Sequence, residues 1–280
     1  MLELIKFEHS VFALPFALSA LLVASAGRPS GWVLGWVIVA MVAARSAAMA
    51  HNRLADEKLD AQNPRTRDRH LPRGLVSRGE VWALVVGASA VFVLACAMLN
   101  RLCLALSPVA LAAVLLYSYT KRFTVLTHYL LGLCLAIAPV GAWIAATGAF
   151  ALEPLVLAAG VVFWVAGFDI IYACQDYEFD RRAGLYSLPA ALGIAPALWA
   201  ARVGHALSVG FLFAFGALCG LGAAYAAGVA LIGLLLLYEH TLVRADDLSR
   251  VNVAFFTVNG FISMLFLVAT GADLLLGGAG

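Results

Sequence analysis

Long apolar runs separated by short polar ones dominate this chain. An α-helix needs about 20 apolar residues to cross a hydrocarbon core of about 30 Å. Runs of that kind fall near residues 10–27, 31–51, 80–99, 102–118, 126–147, 152–172, 195–217, 220–238 and 252–277. Such runs leave no room for the alternating pattern of a membrane β-barrel, and inside lipid each helix must satisfy its own backbone. The predicted fold class is therefore an all-α membrane protein of about nine transmembrane helices. The first run ends in "ASA" at 24–26, a pattern shared with signal-peptide cleavage sites. It reads equally as the first span of a polytopic chain, in which Pro15 is tolerated.

Composition agrees: of 280 residues, 64% are hydrophobic and 12% charged, against roughly 45–50% apolar in soluble domains. The net charge of +2 is uninformative, but its distribution is not. Lys6, Arg53, Lys58, Arg65, Arg67, Arg69, Arg73, Arg78, Lys121, Arg122, Arg181, Arg182, Arg244 and Arg250 fall on one side of the predicted spans, and only Arg28 and Arg101 on the other. Basic loops stay cytoplasmic, so the N-terminus is expected inside and the C-terminus across the membrane. The partner this implies is the lipid bilayer of a cytoplasmic membrane; no nucleic acid is expected, and the oligomeric state stays open. Cys96, Cys103, Cys134, Cys174 and Cys219 form no C-x-x-C pair and read as small apolar packing residues.

The polar segments repeat. Asp56 and Asp60 recur about 120 residues later as Asp176 and Asp180, each pair at the cytoplasmic end of an even-numbered span. "HLP" at 70–72 is echoed by "SLP" at 187–189, and "YSYTKR" at 117–122 more loosely by "YEHTLVR" at 238–244. The expected organisation is a single domain of two four-helix pseudo-repeats, about 1–122 and 123–245, with one span added, around a central cavity. An even number of spans per repeat gives both the same orientation, so the two acidic pairs open on one side.

On an α-helix, Asp60, Asp56, Asn52 and Arg45 share an arc of about 80°, and the same arithmetic aligns Asp180, Asp176 and Asp169. Paired carboxylates need a cation, and oxygen-only ligands suit Mg²⁺, which takes one or two carboxylates plus phosphates and water. The candidate metal ligands are Asn52, Asp56, Asp60, Asp176 and Asp180. Their natural guest is a diphosphate, held from the sides by Arg65, Arg67, Lys121 or Arg122. Arg69, Arg73, Arg78, Arg244 and Arg250 read as solvated loop residues. Arg45 and Asp169 lie within spans, where ionisable residues are costly. Either they neutralise one another, or Arg45 reads an anionic acceptor while Asp169 orients it or takes a proton. The six histidines are scattered; His51 and His70 border the first motif and read as interfacial.

"NRLADEKLDAQNPRTRDRHLPRG", "YSYTKRF" and "DIIYACQDYEFDRRAGLYSLPAALG" resemble the first aspartate motif, the Tyr-Lys-Arg loop and the second aspartate motif of the UbiA superfamily of intramembrane prenyltransferases. The resemblance covers essentially the whole chain. It implies Mg²⁺-dependent transfer of a polyprenyl group from a polyprenyl diphosphate to an aromatic acid. Asn52, Asp56 and Asp60 match the first motif, Asp176 and Asp180 the second, and Lys121 and Arg122 the diphosphate-contacting loop. Arg45 and Asp169 match an arginine before the first motif and the acid that opens the second. At position 53 many relatives carry an aspartate where this chain has Arg53. The motifs are similar to the quinone-pathway branch, whose acceptors are 4-hydroxybenzoate or 1,4-dihydroxy-6-naphthoate; Arg53 and "NPRTRDR" lean towards the naphthoate. They resemble the haem O and chlorophyll branches less.

The implied chemistry is ionisation of the allylic C–O bond followed by attack of the ring carbon ortho to a hydroxyl, with the ring proton passing to a carboxylate or to diphosphate. Tyr117, Tyr119, Phe168 and Tyr172 are candidates to stabilise the allyl cation, although any single one of them reads first as packing or as an interfacial ring. A secondary transporter is the rival reading. Against it, the acids cluster at one surface and no span is clearly broken.

Overall fold

Hydrocarbon offers no hydrogen bonds, and the chain answers by coiling nearly everywhere. In the computed structural model, residues 12–277 are described. The helices are α1 (Leu14–Ala24), α2 (Gly31–Gln62), α3 (Arg78–Leu99), α4 (Arg101–Leu116), α5 (Thr127–Thr147), α6 (Leu152–Ala173), α7 (Tyr177–Ala183), α8 (Leu188–Leu192), α9 (Ile194–Leu218), α10 (Ala223–Leu242) and α11 (Asn259–Gly277). Among the described residues, eight helical segments are long and apolar enough to cross a membrane, and α1 is a shorter apolar helix. The first expected run, 10–27, is thus helical only over Leu14–Ala24; its residues 10 and 11, like Lys6, lie outside the described residues.

Contacts group residues 31–119 into one compact unit, and residues 12–30 with 120–277 into a second. The units are not the sequence halves, because α1 packs on α5 and α11 in the second unit.

In the first unit, α2 and α3 pack along each other and α4 joins both. Asn100 turns α3 into α4: its backbone is extended (φ −162°, ψ 171°), and its side chain accepts the Cys103 N–H at 2.9 Å. Ser77 and Glu80 form a capping box that starts α3. With 32 residues, α2 is about 48 Å long at 1.5 Å per residue, more than a hydrocarbon core requires. Its surplus C-terminal turns carry the first acidic motif.

In the second unit α6 is the central helix, burying Leu157, Val161, Trp164, Val165, Phe168 and Ile171. Phe16 of α1 stacks on Phe266 of α11 at 4.6 Å and lies 4.9 Å from the Trp164 ring. Asp273 in α11 accepts the backbone N–H groups of Gly222 (2.6 Å) and Tyr225 (3.1 Å), satisfying the start of α10 from a neighbouring helix. A π-helical turn, Val253–Val258, precedes α11.

The approach of α5 to α6 depends on Gly132, where an added Cβ would sit 2.5 Å from the Val162 carbonyl oxygen. Gly141, further along α5, has nothing within 4 Å of such a Cβ. Gly132→Ala is therefore expected to destabilise by about 1–3 kcal/mol, as overpacking against backbone does, whereas Gly141→Ala leaves stability unchanged or slightly raised. Thermal unfolding of both variants in detergent checks this, and equal midpoints would refute it.

Candidate active site

The first acidic motif lies on unbroken helix. From Gly31 to Gln62 the α-helix is continuous, so Arg45, Asn52, Asp56 and Asp60 share the predicted face, and the Asn52 amide donates to Asp56 Oδ2 at 2.9 Å. Arg53 is seven residues before Asp60, within about 20° of it on the helix. Its Nη1 lies 3.6 Å from Asp60 Oδ2, with both side chains buried. Arg53 thus gives Asp60 a cation on its own helix.

Arg69 corrects an expectation. Instead of solvating the loop, it donates through Nη1 to both Asp60 oxygens, at 2.7 and 2.8 Å. The loop folds back because Asn63, Thr66 and Leu71 are buried and the Thr66 hydroxyl donates to the Asp60 carbonyl at 3.1 Å. Asp60 is therefore held by two arginines, not left open to a cation. Arg65 and Arg67 sit exposed on the same loop. Arg78 does pair outward, with Glu57 at 3.4 Å. Arg45 has its Nε buried without a hydrogen-bond partner. Tyr117 and Tyr119 open a 3-10 turn, Tyr117–Arg122, with the Tyr119 hydroxyl 3.4 Å from His51 Nε2.

The second motif departs from the single helical face predicted for it. After Ala173 the chain tightens into a 3-10 turn, Cys174–Asp176, before resuming as α7. At about 120° and 2.0 Å per residue this turn changes the register between Asp169 and the later acids. Asp176 and Asp180 are 5% and 2% exposed. The Ser187 hydroxyl bonds Asp180, and Lys121 lies within electrostatic reach of it, yet Asp180 Oδ2 is buried with no hydrogen-bond partner. Gly184 (φ +66°) ends α7, and the following turn is tied down: Leu185 N–H donates to the Asp180 carbonyl (2.8 Å) and Tyr186 N–H to the Lys121 carbonyl (2.7 Å). Lys121 is thereby fixed beside the second motif, while Arg122 is exposed.

Nothing in the sequence pattern pointed to His128. It is fully buried, 2.6 Å from Asp169 Oδ2 through Nδ1, while Nε2 accepts the Leu188 N–H at 3.2 Å. The two residues are 41 apart in the chain, and only the packing of α5 on α6 brings them together. Phe168 and Tyr172 join an aromatic cluster around Phe255, with ring centroids 5.3 and 4.2 Å from it. Elsewhere in this unit, His205 lies 3.0 Å from His240, and Asn259 joins Trp164 (2.7 Å) to the buried Glu239 (3.0 Å).

Among the described residues, no three His, Cys, Asp or Glu side chains converge into a preformed metal centre. Within each unit the acidic motif offers oxygen donors, Asn52 and Asp56 in the first and Asp176 and Asp180 in the second. That is the chemistry of a hard divalent cation that completes its shell with phosphate and water, and the unpartnered Asp180 oxygen fits it.

Comparison with known proteins adds an independent line. Residues 13–265 match the model of the UbiA prenyltransferase family. The chain is 32% identical to the 4-hydroxybenzoate octaprenyltransferase of Paraburkholderia phytofirmans over 89% of its own length and 87% of that protein. It is 35% identical to a UbiA homolog from Aeropyrum pernix K1 solved without ligand, with a TM-score of 0.82, covering 97% of this chain and 98% of that one. A UbiA homolog from Archaeoglobus fulgidus, bound to DMAPP and Mg²⁺, shares the fold at 21% identity with a TM-score of 0.72, over 98% of this chain and 99% of that one. The chain belongs to the UbiA prenyltransferase family and is an integral membrane prenyltransferase.

Proposed function

We propose that this enzyme transfers a long polyprenyl group from its diphosphate to a hydroxylated aromatic acid, with Mg²⁺ bound through the acidic motifs. The observation that carries the reading is Asp180: a buried carboxylate oxygen without a partner, next to Lys121 and on the same motif as the buried Asp176. An uncompensated carboxylate in an apolar surrounding is costly, and a cation carrying a diphosphate relieves it. The relatives' names support 4-hydroxybenzoate as acceptor; 1,4-dihydroxy-6-naphthoate is the second reading, tied to Arg53. The motifs face the cytoplasm of a prokaryotic cell, and residues 1–122 and 123–245 are the two pseudo-repeats.

Each group has a defined task. Asn52, Asp56, Asp176 and Asp180 are the metal-binding oxygens, and Mg²⁺ would supply electrophilic neutralisation of the leaving diphosphate. Asp60 holds Arg53 and Arg69 in place as cations for the same anion. Lys121 adds charge where negative charge develops, and Arg65, Arg67 and Arg122 are further cations for the diphosphate. As the allylic C–O bond breaks, its electron pair leaves with diphosphate, and the ring carbon ortho to the hydroxyl supplies the pair for the new C–C bond. The ring proton then departs to a carboxylate or to diphosphate. Tyr117 and Tyr172 are assigned to the substrate, and Arg45 to the acceptor's carboxylate.

Asp180→Asn and Asp56→Asn are expected to lower kcat about 100-fold or more, the scale on which loss of a charge-stabilising group acts, and to raise the Mg²⁺ concentration for half-maximal activity. Asp60→Asn instead loosens the arginines, raising KM for the polyprenyl diphosphate with the Mg²⁺ requirement unchanged. Steady-state kinetics with Mg²⁺ titration of the purified enzyme distinguish these, and unchanged turnover in Asp180→Asn and Asp56→Asn sinks the metal assignment. Offering 4-hydroxybenzoate and 1,4-dihydroxy-6-naphthoate together should yield mainly prenylated 4-hydroxybenzoate. Product on the naphthoate alone reassigns the acceptor, and product on neither removes the aromatic-acid reading.

A further inference from the structure

We infer that His128 is the positioning residue for Asp169, fixing that carboxylate to receive the hydroxyl group of the aromatic acceptor. The inference rests on the aromatic prenyl transfer proposed above.

Two hydrogen bonds fix the imidazole. Its Nε2 accepts the Leu188 N–H, so it carries a lone pair, and in the neutral ring the proton sits on Nδ1. Nδ1 faces Asp169 Oδ2 at 2.6 Å and donates to it. The backbone thus sets the tautomer and the tautomer sets the bond, as an orienting partner does for a functional histidine. His128 is fully buried and the Asp169 side chain is 15% exposed. Among the described residues His128 is the one hydrogen-bond partner of the Asp169 side chain. One carboxylate oxygen is consumed by the histidine and the other is left for a guest.

The guest's chemistry follows from charge and place. Asp169 precedes Asp176 by seven residues on the same candidate span, about 12 Å along it with the 3-10 turn included, and lies one helical turn before Tyr172. An ionised acid group is repelled by Asp169, whereas a phenolic O–H donates to it. Holding the hydroxyl fixes which ring carbon is ortho to it.

His128 also supports structure, because Leu188 follows Ser187, whose hydroxyl bonds Asp180. The two roles separate by substitution. The amide of His128→Asn sits where Nδ1 was and keeps a donor for Asp169 while losing the Leu188 bond. That of His128→Gln reaches the Nε2 position and keeps the Leu188 bond while losing the donor.

Kinetics of the purified enzyme with Mg²⁺, a polyprenyl diphosphate and 4-hydroxybenzoate decide it. For His128→Gln, kcat/KM for the aromatic acceptor is expected to fall about 10- to 100-fold, the scale for losing a hydrogen bond to a charged group. KM for the diphosphate should stay within about twofold of wild type, and His128→Asn should retain acceptor kcat/KM within about threefold. Asp169→Asn should match His128→Gln, and combining the two should cost no more than either alone. If His128→Gln does not fold, by thermal unfolding in detergent, His128→Asn with Asp169→Asn carries the same contrast. The inference falls if His128→Asn loses as much as His128→Gln, if Asp169→Asn is as active as wild type, or if the loss appears in KM for the diphosphate. Wild-type enzyme inactive on every hydroxylated aromatic acid overturns the underlying reading and the inference with it.

Discussion

A carboxylate placed below a membrane surface must be given a partner, because hydrocarbon provides none. Most of the polar architecture of this chain is an answer to that demand. Asp60 takes Arg69 and Arg53, Asp169 takes His128, and Asp273 takes two backbone N–H groups at the start of α10. Glu239, fully buried, receives the Asn259 amide on one oxygen and has His205 Nδ1 4.0 Å from the other. Asp180 answers only in part, with Ser187 bonded and Oδ2 unpartnered beside Lys121. Glu239 Oε2 is likewise without a hydrogen-bond partner, but Asp180 differs in lying beside Lys121 on an acidic motif, where an external cation has something to gain.

How much of this was legible depended on the range of the interactions. Hydrophobic runs report helix by helix, so the spans emerged nearly intact, and the continuous helix of α2 made Arg45, Asn52, Asp56 and Asp60 a readable face. Arg53 was readable on the same terms, since seven residues return to nearly the same meridian, yet it registered only as a departure from a motif. Arg69 was not, because its contact depends on a loop held by Leu71, Thr66 and Asn63. His128 and Asp169 meet through the packing of α5 on α6, which Gly132 permits by exposing the Val162 carbonyl to close approach. No spacing rule within one segment encodes such a contact. The 3-10 turn at Cys174–Asp176 was hidden for another reason: its residues are compatible with α-helix, so nothing in the local sequence marks the tightening.

The two acidic motifs look alike as text and differ as objects, and the difference bears on their work. In the first, a straight helix projects Asp56 beside the Asn52 amide, while Asp60 is consumed by arginines that it holds in place. In the second, a 3-10 turn precedes the buried Asp180, whose compensation comes from Ser187 and Lys121. A buried carboxylate oxygen without a partner is costly, and a bound cation offsets that cost. An arginine clamp anchored by a carboxylate suits the anion instead, since guanidinium presents a planar set of donors to phosphate oxygens. Arg53 thus gives the first motif a buried cation on the same helix as its carboxylates, a feature the second motif meets with Lys121 from a neighbouring turn.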